Sequence, residues 1–146
     1  MEQLPQKVLD EVEAWVAARK VPTRHQARDL LTGIGLALLD GPIEFVQPLL
    51  DRFAALIAAS PDAWREAIAG ELSMAVTEHV RSADPRWLGN PKYDFPYTVD
   101  ARHRLEARLA CAEALQVEVS EELLEAVARA DAILAPYLEG GEAPRA

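Results

Sequence analysis

Apolar residues recur along this chain at spacings of three and four, the mark of helices that each bury one stripe. Val8, Val12, Trp15 and Val16 predict a helix over 6–19, ended before Val21-Pro22 because a residue ahead of proline is driven out of the helical region. Thr23 and Gln26 stand three apart as a capping box. Ala27, Leu30, Leu31, Ile34 and Leu38 then form the stripe of a helix that runs to Leu39 and stops at Asp40-Gly41-Pro42. Gly33 and Gly35 inside it weaken the helix by about 1 kcal/mol each. Their expected return is close approach of a neighbouring helix.

From Ile43 to Ala59 the helical pattern continues, and Pro48 is expected to divide it. A short turn would end at Gln47 and a new helix would carry Pro48 in its first turn. Ser60-Pro61-Asp62 opens a fourth helix, to Arg81, with Trp64, Ile68, Leu72, Ala75, Val76 and His79 on its stripe. Thr98 or Asp100 is expected to cap a fifth over 101–116. Ser120, followed by Glu121 and Glu122, caps a sixth with Leu124, Val127, Ala128 and Leu134 inward, ended by Pro136 and Gly140-Gly141. Strand signals reduce to Val117-Glu118-Val119, too short for a sheet. The expected fold is all-α: a single-domain antiparallel bundle of five or six helices over 1–138, with a flexible tail over 139–146.

One stretch breaks this pattern. Residues 84–98 hold Trp87, Tyr93, Phe95 and Tyr97, four of the chain's nine aromatics, and three of its ten prolines. The sequence reads as a long aromatic, proline-rich loop between the fourth and fifth helices, and long loops inside compact domains usually carry function. Its aromatics argue for an ordered, packed segment. Charge sets the same region apart. The whole chain carries −9, whereas residues 81–108 hold six basic residues (Arg81, Arg86, Lys92, Arg102, Arg104, Arg108) against four acids. Asp100 with Arg104 and Arg102 with Glu106 have the spacing of helical ion pairs, while Arg108 has no such partner in its own helix.

The overall acidity opposes binding to nucleic acid or anionic lipid and would complement a basic protein partner. No apolar stretch is long enough to span a bilayer. The first residues, Met1 to Lys7, lack the basic start and apolar run of a signal peptide, and a single cysteine makes no internal bridge. These features predict a cytoplasmic protein.

Candidate chemistry is sparse. His25 falls opposite the apolar stripe of its helix. His79 lies within a stripe, and His103 lies on an alanine-rich side with Ala107, Ala110 and Ala114. If the fourth and fifth helices are antiparallel neighbours, His79 and His103 could meet at the loop end. A metal or acid–base pair with Glu106 is the sharper reading of that arrangement, and hydrogen-bonded core histidines the preferred one. No HExxH motif, pair of Glu-x-x-His motifs, phosphate loop or nucleophile elbow accompanies them. Cys111 sits beside alanines and reads as a buried, inert thiol.

No cofactor and no metal site is implied. The expectation is a non-enzymatic acidic interaction module, an adaptor, inhibitor or chaperone-like partner of another protein, capable of self-association. Its binding residues would be Arg86, Trp87, Lys92, Tyr93, Phe95, Tyr97, Arg104, Arg108, His79 and His103. The alternative is a small-molecule-binding bundle or minor enzyme with a pocket between the fourth and fifth helices.

Overall fold

A computed structural model of the 146-residue chain describes residues 4–41, 43–90, 92 and 95–139, with backbone only at Leu4, Ile43, Phe95 and Glu139. All regular structure among these is helical. The helices are α1 (Leu4–Ala17), α2 (Arg24–Asp40), α3 (Ile43–Ala59), α4 (Pro61–Ser82), α5 (Pro85–Leu88), α6 (Phe95–Ala114) and α7 (Glu121–Glu139). Glu139, the first residue of the tail expected over 139–146, belongs to α7, and residues 140–146 lie outside the described residues.

The chain divides into two compact units. Met1–Leu72 with Glu106–Glu118 make the first, and Ser73–Leu105 with Val119–Ala146 make the second. In the first, α1, α2 and α3 pack on one another. Thr23 caps α2 with the reciprocal Gln26 bond that the sequence predicts. Leu9, Val12, Leu30, Leu31, Ile34, Phe53, Trp64 and Ile68 fill the interior. Arg52 of α3 reaches Glu13 and Asp10 of α1, each at 2.6 Å, so an ion pair reinforces that packing.

The glycines of α2 do what their positions predict. A methyl group on Gly35 would overlap the backbone carbonyl of Ala107 and lie 3.0 Å from its Cα, so α2 and α6 touch backbone to backbone there. Gly33 faces Pro5, whose Cβ would stand 3.2 Å from an added methyl.

Expectations fail at two prolines and along one buried face. Pro48 does not divide its segment, because α3 is continuous from Ile43 to Ala59. Val46, Leu50, Phe53 and Leu56 stay on one buried stripe, while Glu44 and Pro48 face solvent, where water can satisfy the carbonyl that proline leaves unbonded. Pro136, also exposed, likewise lies inside α7. The last helix turns inward through Val127, Ala130 and Leu134, whereas Leu124 and Ala128 are exposed.

The largest difference concerns the loop. Residues 85–88 form α5, and α6 starts at Phe95, so Thr98 and Asp100 lie within its opening turns rather than capping it. Pro96 fits there because first-turn amides need no intrahelical partner. Helix α5 is the addition that makes seven helices among the described residues in place of five or six.

Candidate functional site

Most of the candidate residues belong to the second unit. Helix α5 is one turn long, far too short to persist unaided, and three local features hold it. Asp84 is its N-cap, accepting the Arg86 amide at 2.9 Å, and Pro85 supplies a preset first-turn backbone. Leu88 is fully buried against Leu134 and Tyr137 of α7. With Leu88 turned in, Trp87 is left 46% exposed.

The Arg86 guanidinium lies 5.9 Å from the Trp87 ring centroid, within cation–π range. Asp84 also grips that guanidinium. Its carboxylate accepts from Nε at 3.2 Å and from the terminal NH2 at 2.8 Å. These bonds from Arg86 hold the Asp84 carboxyl below its ordinary range. An arginine and a tryptophan are thus presented outward side by side on a braced turn.

The other loop candidates are less concentrated. Lys92 is exposed, its amide bonded to the Asn90 side chain at 2.9 Å. Tyr93 lies outside the described residues, and Phe95 is described only as the first backbone residue of α6. Tyr97 is largely exposed on α6. Arg104 pairs with Asp100, as the spacing predicts. Arg108 does not join this group. It belongs to the first unit, where its Nε donates to Thr32 Oγ1 at 2.8 Å and NH1 stands 3.7 Å from the buried Glu71 carboxylate. Arg24 approaches the same acid at 3.7 Å, so Arg108 serves a buried charge cluster.

His79 is buried, as its stripe position predicts, and the partner of its Nε2 lies on α7 rather than at His103. His79 Nε2 lies 2.8 Å from Asp131 Oδ1 of α7. A carboxylate only accepts, so this nitrogen carries the proton. Arg102 of α6 donates to the same carboxylate, Nε to Oδ1 at 2.8 Å and NH2 to Oδ2 at 2.9 Å. The guanidinium that spacing sets near Glu106 thus also directs Nε and NH2 at α7. Burial raises the Asp131 carboxyl, but the bonds from Arg102 and His79 outweigh it and leave the group below its ordinary range. One carboxylate thus ties α4, α6 and α7 together within the second unit. His103 is half-buried on α6, and His25 is exposed.

Asp131 and Glu71 are the residues that reading the sequence missed. Both carried a signal. Glu71 sits three residues after Ile68 and four before Ala75, and Asp131 sits four after Val127 and three before Leu134. Each is an acid on an apolar stripe, and an acid so placed needs a cationic partner. Asp84 was also missed as the residue that both caps α5 and orients Arg86.

Among the described residues no group of three or more His, Cys, Asp or Glu is placed to hold a metal ion, and no helix is long and apolar enough to cross a membrane. Cys111 is fully buried, and desolvation pushes its thiol up to about 12. Compared with known protein families, curated proteins and solved structures, the chain matches none.

Proposed function

We propose that this chain is a non-enzymatic protein-interaction module that docks a partner through the Arg86–Trp87 turn. The observation that carries the reading is the division of labour within α5: Leu88 is fully buried while its neighbour Trp87 remains 46% exposed. A tryptophan recruited to fill a core would be the buried residue of the two. Tryptophan and arginine are the side chains that most often dominate binding energy at protein interfaces, and rigid mounting lowers the ordering cost of using them. The second unit also exposes Met74, Val80, Tyr97, Val99, Leu124, Ile133 and Leu138, against Val21, Leu39 and Phe45 in the first. That bias, read among the described residues, supports assigning the apolar contact area of the proposed interface to the unit that holds Trp87.

Trp87→Ala tests the reading. The variant should unfold within about 1 kcal/mol of the parent, because the indole is only partly buried. It should also lose capture of the partner that a photo-reactive residue at position 87 cross-links in the native cell. A variant that fails to fold, or one that captures the partner undiminished, refutes the proposal.

A further inference from the structure

Arg86 offers a free edge. A guanidinium is a planar fork with five N–H donors, and the hydrogen bonds from its side chain to Asp84 use Nε and one NH2. NH1 makes no hydrogen bond to any described residue, and the side chain is 81% exposed. Asp84 is itself fixed, because the same carboxylate caps α5 through the Arg86 amide. The fork is therefore held by one edge while the NH1–NH2 edge faces solvent, already oriented and lying beside the exposed Trp87 ring.

An edge of this shape matches a carboxylate in bidentate geometry, and fixing it in advance removes much of the side-chain entropy that binding would otherwise cost. The charge flanking the turn in sequence has the same sense. Arg81 and Lys92 are exposed, whereas Asp84, the acid among them, is already paired. We infer that Arg86 and Trp87 form a receptor for an acidic segment of another protein, in which a carboxylate takes the outward edge of the guanidinium and an apolar side chain lies on the indole. The inference rests on the docking reading above and adds the chemistry of the partner. The chain's net charge of −9 disfavours the phosphates of a nucleic acid as occupant, since the wider field repels a polyanion, whereas a short acidic segment needs only the local surface.

The experiment uses the full chain and a fluorescent peptide of alternating glutamate and leucine, read by anisotropy, with the Trp87 indole resonance as a site marker. The peptide should bind saturably and shift that resonance. Arg86→Lys, which keeps the charge and loses the fork, should weaken binding about tenfold, and Trp87→Ala should do the same. Peptides with glutamine for glutamate, or serine for leucine, should bind at least as poorly. The inference is overturned if no saturable binding occurs, if Arg86→Lys binds like the parent, if the glutamine peptide binds equally, or if oligothymidylate competes at equal strength. Cross-linking at position 87 separates the two levels. A native partner whose contacting segment is basic removes this inference and leaves the docking reading standing, whereas no partner at all removes both.

Discussion

Asp131→Asn removes a charge from the carboxylate that three helices share, while nearly preserving its shape. The parent side chain accepts three hydrogen bonds, one from His79 Nε2 and two from Arg102. An asparagine replaces one acceptor with a donor, so one contact to Arg102 or His79 becomes donor against donor. Each hydrogen bond to a charged group is worth about 1.5–3 kcal/mol, and the remaining Arg102 bond is weakened as well. The Asp131 side chain is 36% exposed, so solvent screens part of this, and the expected net loss is about 2 kcal/mol. For a chain of this length that lowers the melting temperature by about 6 °C.

The pH dependence follows from the depressed carboxyl of the folded chain. Its stabilisation is complete above the unfolded-state carboxylate range, about pH 4, and is lost as pH falls through the lower folded value. Protonated Asp131 resembles the asparagine, so the gap between parent and variant should close as the solution is acidified below that range. Urea unfolding of both proteins across a pH series measures the gap directly. A difference below about 0.5 kcal/mol at neutral pH, or one that persists undiminished in acid, refutes the assignment of Asp131 as the ionised hub.

Three further outcomes are expected. Gly35→Ala should destabilise the chain by about 2 kcal/mol despite alanine's better helix propensity, because the added methyl meets the rigid Ala107 backbone; a stabilised variant in thermal unfolding would refute that contact. Leu88→Ala should cost about 2 kcal/mol or less, since one turn can detach by itself, yet it should collapse the distinct Trp87 indole resonance toward its unfolded position without altering Trp87. The Cys111 thiol should resist disulfide reagents in the native chain. Its folded value is raised to about 12, so its contribution is intact below the unfolded thiol range and is lost as pH rises from about 9 towards 12; Cys111→Ala should lack that component of the alkaline slope.

Periodicity made much of the fold readable in advance. The α4 stripe from Trp64 to His79 is buried residue for residue, the Thr23–Gln26 capping box forms, and the glycine pair marks a close helix contact. These follow from spacing alone, which is why they were legible. Pro48 and Pro136 misled because their cost depends on whether the carbonyl they leave unbonded faces water, a tertiary property. The acids of the two charge clusters were missed for a related reason: spacing identifies partners within one helix, whereas Arg102 and Arg108 reach across to Asp131 and Glu71 on other helices. For the candidate site, composition picked out Arg86 and Trp87. Only coordinates reveal that Leu88 turns in so that Trp87 stays out.

The first unit is assembled from two separated stretches, Met1–Leu72 and Glu106–Glu118, with most of the second unit's sequence inserted between them. A ribosome delivers Gly35 long before Ala107, the residue whose backbone it receives. During synthesis α2 therefore lacks its α6 contact until Ala107, about three-quarters of the way along these 146 residues, has been added, and the leading stretch is denied its full packing until then.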